Sequence, residues 1–510
     1  MELASERKSG KIYRDEPWYF YEVRMPNLNS KEKELISLIS RAALKDFSNS
    51  DLAVLFMENK QRANFIAKVE DLMTQIKPYY NKLLNAEEED QVIKAVGEFV
   101  KKVAPFVTHK EDVIYAIIKN LIGLGKLSYL IDDDELEEIM TNGPKQPIFV
   151  FDRHYGLCKT SLSFEDEKEI VAIISRIANF VMKKVSYEFP LLEARLPDGS
   201  RVNATIPPAS PKGSTITIRK FRKRPYSITD IVRNKTMNSE VAAFLWLCVE
   251  GMRVNPKSML ISGGTGSGKT TTLNALTVFI PQKERIVTIE DTLELNLHGR
   301  EDWIQLEARP GIYEAPLNLD ELLKNTIRMR PDRIIVGEVR GSEAETMFVA
   351  MDIGHQGMMS TLHANSARET LLRLQNPPMN VPKAMFTLLD MIVMQHRMYV
   401  PKAGLIRRLT QISEVSLMDE HVLLNDVYAR DRNKDDIVRT DIPSQIIENF
   451  SFHTGRSKKE IEEEILSRQL IIDHLVENNI VDYNDIQRIV NSYYSSPQAV
   501  LDELESKRVT

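Results

Sequence analysis

The chain has 510 residues, 27% of them charged and 43% apolar, with a formal net charge of −6. That length exceeds one hydrophobic core and predicts two or three domains, while the small net charge argues against a nucleic-acid-coating surface. The only cysteines, Cys158 and Cys248, form neither a disulfide framework nor a zinc site and point to a reducing cytosol.

Residues 1–29 are expected to be a flexible N-terminal tail, polar through Lys11 and aromatic at Trp18, Tyr19, Phe20 and Tyr21. The aromatics either dock on the folded body or form a docking peptide for a partner or a membrane interface. No apolar stretch follows residues 1–8, so they do not read as a secretory signal, and no apolar run approaches the ~18–20 residues that span a bilayer. Residues 30–85 read as a helical subdomain. Leu35, Ile36, Ile39, Ala42 and Ala43 recur at helical spacing, as do Leu52, Leu55 and Phe56, and then Phe65, Ile66, Val69, Leu72 and Met73.

Residues 86–224 read as an α+β domain. The acidic run Glu87-Glu88-Glu89-Asp90 suits a helix N-terminus, and a further helix runs from about Lys168 to Lys183. Strands are expected at 148–151 and 215–221, and Asp198-Gly199 marks a hairpin turn. Arg219, Lys220, Arg222, Lys223 and Arg224 form a basic cluster, either a solvated strand end or a phosphate clamp. A linker is expected at 225–235.

Residues 236–445 read as a P-loop domain. An apolar strand at 257–262 leads into Gly263-Gly264-Thr265-Gly266-Ser267-Gly268-Lys269-Thr270, which matches G-x-x-x-x-G-K-[ST] in full and opens a helix, the context a P-loop requires. The glycines let backbone N–H groups curl around phosphate oxygens, and the helix N-terminus faces the same anion. Lys269 would reach the β- and γ-phosphates and Thr270 would bind Mg²⁺; Thr271 completes the expected nucleotide-binding set. Strand 285–289 ends in Glu290, Asp291 and Glu294, and strand 333–336 is followed by Glu338, where open α/β sheets place their ligands. His355 and His363 lie beside a third short strand and are candidates for reading the γ-phosphate or coupling it to motion. Residues 376–382 carry three prolines and read as a loop; 407–415 and 422–428 read as paired strands. Residues 446–510 form a C-terminal helical extension, with a capping box at Ser457 and Glu460, a cap at Asp482 and a helix start at Pro497.

Taken together, the Walker A loop 263–270, the acidic segment 289–294, the atypical Walker B at 337–341 and the histidine box 354–365 resemble those of secretion-type ATPases. That family serves type II secretion, type IV pili, conjugative type IV secretion and the archaeal motility filament. The segment 195–202 also resembles a signature of the family's N-terminal domain. The extensions at both ends look most like the archaellum (archaeal flagellum) motor and assembly ATPase. The four-cysteine metal motif of many type II and pilus relatives is absent from this sequence. The resemblance implies an α/β fold, with a RecA-like P-loop NTPase domain, an α+β N-terminal domain and helical extensions at both ends. It further implies a cytoplasmic homohexamer, peripheral at the inner face of the membrane. The implied partners are a polytopic membrane platform protein and other cytoplasmic filament-machinery components, with no nucleic acid.

ATP and Mg²⁺ are the implied cofactors, with Thr270 on the metal and Glu338 acting on it through the outer shell. Glu294 is the first choice for polarising the attacking water, with Glu290 and Glu338 as rivals. Arg195, Arg201 and Arg219 match positions from which the family's N-terminal domain contacts nucleotide or a neighbouring active site. Competing readings are the ATPase of a type IV pilus, type II secretion or conjugative secretion system, and a nucleotide-gated membrane-docked scaffold with little hydrolysis.

Overall fold

The computed structural model describes residues 2–43, 59–79, 86–222, 224–297, 299–309, 317–400, 404–418 and 421–509. Leu52, Leu55, Phe56 and Lys223 lie outside the described residues. The chain divides into two compact units, Met1–Lys223 and Arg224–Thr510.

Among the described residues, the first unit carries a nine-stranded sheet. Its strands are β1 (Glu2–Arg7), β2 (Gly10–Asp15), β3 (Trp18–Val23), β4 (Leu136–Thr141), β5 (Pro147–Asp152), β6 (Gly156–Ser163), β7 (Leu191–Arg195), β8 (Arg201–Thr205) and β9 (Thr215–Arg219). They run in the order β1-β2-β3-β6-β5-β4-β9-β8-β7, and only the β3–β6 pair is parallel. The helix Glu167–Phe180, capped by Asp166, lays Ile170, Ile173, Ile174 and Ile177 into the core of this sheet.

The expected flexible tail is corrected: residues 2–23 are three strands of this sheet. Ile12, Tyr21 and Val23 are buried, whereas Trp18 stays partly exposed, with its ring against Phe149 at 5.9 Å. Polar groups that read as a solvated tail instead pair with buried acids. The Tyr21 hydroxyl donates to Asp133 at 2.6 Å, Ser9 donates to the same carboxylate at 2.8 Å, and Arg7 donates to Asp152 at 2.5 Å. Deleting residues 1–28 would therefore strip three strands from the sheet, so the tail is structural. Tyr21→Phe should cost about 1.5–3 kcal/mol, the value of one hydrogen bond to a charged group. Urea unfolding would read this, and an unchanged midpoint would show that Tyr21 contributes through its ring alone.

The helices Ser30–Ala43, Asn59–Ile76, Ala86–Val103 and Lys110–Leu121 share one core that includes Leu35, Ile39, Phe65, Val69, Val96 and Ile117. The expected boundary at 85/86 therefore moves to about residue 122, because the amphipathic faces of the third and fourth helices fit the helical group and not the sheet. Glu32 ties this group to the chain after Ala86–Val103. It accepts the backbone N–H of Asn29, Thr108 and His109. Burial opposes its charge, but these donors prevail and hold its pKa at about 2.

The second unit is built on β10 (Met259–Ser262), β11 (Ile286–Glu290), β12 (Trp303–Glu307), β13 (Arg333–Val336), β14 (Met359–Leu362), β15 (Met391–Val400), β16 (Gly404–Met418), β17 (His421–Asp431) and β18 (Asp436–Arg439). Their order is β12-β11-β13-β14-β10-β15-β16-β17-β18. The pairs from β12 to β15 are parallel, and those from β15 to β18 antiparallel. β10, β11, β13 and β14 are buried along their whole length, as expected of parallel strands covered on both faces. This is the RecA-like P-loop arrangement.

Two expectations change here. Residues 225–235 are not a free linker: Ser227 and Asp230 form a capping box that opens the helix Ile228–Arg233, which buries Ile228 and Ile231. The C-terminal helices are not an appendage either. Gln445–Thr454, Lys458–Glu477 and Tyr483–Ser495 contribute Phe450, Ile461, Ile472 and Val490 to the same core as Trp246 on helix Ser239–Glu250. The expected caps at Ser457 and Asp482 are present. In the basic cluster, Lys220 donates to the Asp133 carbonyl and Arg224 pairs with Asp230. Among the described residues no single helix is long and apolar enough to cross a membrane.

Candidate active site

The loop after β10 is shaped by its glycines. Gly266 and Gly268 hold φ of +69° and +92°, which side chains with a Cβ resist. At Gly263 a Cβ would lie 2.0 Å from the Gln395 carbonyl oxygen. The loop runs into the helix Lys269–Leu276, whose first-turn N–H groups lack partners within the helix. Lys269 is buried, and its Nζ donates to the Gly263 and Gly264 carbonyls at 3.0 and 3.1 Å. The Ser267 hydroxyl is occupied with the Gly264 carbonyl at 2.9 Å. Thr265 and Gly266 stand at the exposed tip, and Thr270 and Thr271 are half-buried on the first helical turn. Backbone donors, a helix N-terminus and a buried ammonium converge here, a donor set that fits a polyphosphate.

A polar line crosses the ends of four strands beside this loop. Arg340, after β13, pairs with Asp291, after β11, at 3.0 Å and with Glu338 at 3.3 Å. Glu338 meets His363 Nε2, after β14, at 3.2 Å, and the His363 ring stands 3.5 Å from Lys269 Nζ, after β10. Sheet order β11-β13-β14-β10 puts these residues in sequence along one edge. Burial lowers the His363 pKa, the Lys269 charge lowers it further, and Glu338 works against both. The lowered pKa favours the neutral ring, and its Nε2 is the atom that meets Glu338.

Glu290 is buried and accepts the N–H groups of Glu294 and Leu295 at 2.8 and 3.0 Å. Its carboxylate holds the turn on which Glu294 rides. The strands are also close here: a Cβ at Gly337 would lie 2.9 Å from Glu290 Cγ. Among the described residues no group of three or more His, Cys, Asp or Glu is poised around a metal. Thr270, on the first helical turn, and Glu338, which Arg340 and His363 already engage, are the residues that would hold a Mg²⁺ ion, the second through its outer shell.

The structure thus unites Lys269, Glu338 and His363, but separates His355 from them. His355 precedes β14 and His363 follows it, so the two histidines stand at opposite ends of one strand. His355 lines a cleft of about 280 Å³ with Pro256, Glu284, Asp332 and Arg333, at the starts of the parallel strands. Eight positions apart in sequence, the histidines read as one box; a strand advancing about 3.3 Å per residue carries them apart. The arginines of the first unit form a row: Arg195 opposes Arg201 across β7–β8, and Arg201 opposes Arg219 across β8–β9. Directly opposed residues share a face.

Sequence reading missed Gln395, Arg397 and Arg407, which stand against the loop. Arg397 Nη1 would lie 2.9 Å from a Cβ at Gly266, and it faces Arg407 across β15–β16. Polar residues at 395, 397 and 407 within apolar strands were the available signal, but only strand order brings them to the loop.

Residues 121–434 match the family described as "Type II/IV secretion system protein". The uncharacterized protein MJ0781 of Methanocaldococcus jannaschii is 43% identical over 279 residues, 54% of this chain and 38% of its own length. MJ0900 of the same organism is 32% identical over 439 residues, 84% of this chain and 78% of its own. Among solved structures, the VirB11 ATPase from the Brucella suis type IV secretion system, in complex with sulphate, is 26% identical. The match covers 56% of this chain and 92% of that one, with a TM-score of 0.29.

Proposed function

The chain belongs to the type II/IV secretion system protein family, and from that membership we propose that it is a Mg²⁺-dependent ATPase. We assign it as a homohexameric motor that assembles a type IV pilus-like archaeal motility filament on a polytopic membrane platform, from the cytoplasmic face. The observation that carries the enzymatic reading is the line Lys269–His363–Glu338–Arg340–Asp291 beside the P-loop. The archaeal assignment rests on the resemblance of the terminal extensions, which lie outside the matched core 121–434; relatives in Methanocaldococcus jannaschii, themselves uncharacterized, accord with an archaeal setting.

ATP bound here would supply the γ-phosphoryl group, with Mg²⁺ offsetting phosphate charge. Residues 263–271 grip the phosphates through backbone N–H groups, and Lys269 exchanges its loop carbonyls for phosphate oxygens. Thr270 is the residue that would hold the metal through its hydroxyl. Glu294 is the first choice for orienting the attacking water, with Glu338 and Glu290 as its rivals. Neutral His363 links Glu338 to Lys269, so a change at the phosphates is felt by the carboxylate. Arg195, Arg201 and Arg219 are the proposed charge-stabilising set, acting on the nucleotide or on a neighbouring active site of the ring.

Glu338→Gln keeps the shape and loses the charge. It should cut steady-state turnover by about 10²-fold while sparing nucleotide affinity. Light scattering with and without ATP, run beside the turnover assay, should show hexamers and activity rising together with concentration. Wild-type turnover in Glu338→Gln would remove that residue from the mechanism, and full activity in a monomer would overturn the ring.

A further inference from the structure

Two side chains hold the Walker A loop from outside. Gln395, fully buried on β15, donates to the Ser267 carbonyl at 2.8 Å and accepts the Thr272 hydroxyl at 2.8 Å. Arg407, on β16, donates through Nε to the Gly266 carbonyl at 3.0 Å. Consecutive loop carbonyls are thereby drawn toward the β15–β16 hairpin. A trans peptide points its N–H opposite to its C=O, so the Gly268 N–H faces away from β15. The clamp therefore holds a backbone donor on the side of the loop turned away from Gln395, the loop in which Lys269 Nζ stands 3.5 Å from the His363 ring. The fit is close: a Cβ at Gly268 would lie 2.9 Å from Gln395 Nε2 and 3.3 Å from Arg407 Cδ.

The chemistry at 395 is demanding. The site uses a donor toward Ser267 and an acceptor toward Thr272 on one side chain, which an amide supplies. Glutamate would set an acceptor against a carbonyl, and methionine would lose both bonds.

We propose that Gln395, supported by Arg407, is a positioning residue for the nucleotide phosphates, acting through the 266–268 backbone without touching the ligand. The inference rests on the reading of this loop as an ATP site. Its test compares the full-length wild-type chain with Gln395→Met and Gln395→Glu in three measurements: binding of a fluorescent ATP analogue, KM and kcat for ATP, and amide hydrogen exchange over 263–270 without nucleotide. Gln395→Met should raise KM about tenfold with kcat held within about threefold, the pattern of lost uniform binding, and should speed exchange of the loop amides. Gln395→Glu should raise KM further despite its near-identical shape. A purely structural role would instead lower kcat and the unfolding temperature at constant KM. Wild-type binding with a Gln395→Met KM within about twofold of wild type and unchanged loop exchange overturns the inference alone. Failure of the wild-type chain to bind the analogue overturns the ATP-site reading and this inference together.

Discussion

Lys269→Ala should lower ATP turnover by about 10²–10³-fold, the cost of removing one preorganised donor from developing transition-state charge. The lysine is the buried cation nearest the centre of the loop, bonded to the Gly263 and Gly264 carbonyls. Its loss removes the charge that meets the β- and γ-phosphates and leaves the glycine geometry of 263–268 in place, so the protein should remain folded. A second readout follows from the electrostatics. The Lys269 charge depresses the His363 pKa, second only to burial, so removing it should raise that pKa toward the ordinary imidazole value. An NMR titration of His363 would show the rise. Wild-type turnover with an unmoved His363 would mean that the lysine neither binds phosphate nor speaks to the histidine.

The residues whose placement was legible in the sequence were those positioned locally. Glu290, Glu338 and Lys269 each follow an apolar run that can only be a buried strand, and a P-loop fold puts the ends of such strands at the ligand. His355 misled because nearness along the chain was taken for nearness in space, with the four buried residues of β14 between it and His363. Gln395 and Arg407 were invisible for the opposite reason. Their contacts with Ser267 and Gly266 span 128 and 141 positions and exist because β15 pairs with β10, a choice of strand order that no local pattern encodes. The N-terminal strands were hidden by their polar residues: Arg7 and Ser9 read as solvated until Asp152 and Asp133 are seen to receive them. The C-terminal helices were legible as helices, by their caps, but not as core, because an amphipathic face does not name the surface it covers.

Arg468→Ala should destabilise the second unit by about 3–5 kcal/mol, the cost of breaking a buried ion pair by removing one partner. Arg468 and Glu250 are each about 4% exposed and meet at 3.1 Å. The guanidinium also pairs with Glu464 and stands over the rings of Trp246 and Tyr493 at 5.6 and 5.2 Å. This joins the C-terminal helix Lys458–Glu477 to the helix Ser239–Glu250 before the P-loop, so alanine loses charge, packing and ring contact at once. Burial already raises the Glu250 pKa against the pull of Arg468, and without the arginine it should rise further. A carboxyl with a raised folded pKa favours the folded state as it protonates. The deficit of Arg468→Ala should therefore be larger at neutral pH than in mild acid. Pairing Arg468→Met with Glu250→Gln removes both charges at similar volume and should recover part of the loss. Urea unfolding of the full chain at two pH values, followed by tryptophan fluorescence in a Trp18→Phe, Trp303→Phe background that leaves Trp246 as the reporter, would read all three. An unchanged midpoint in Arg468→Ala at neutral pH would show that the C-terminal helices are held by their apolar faces alone.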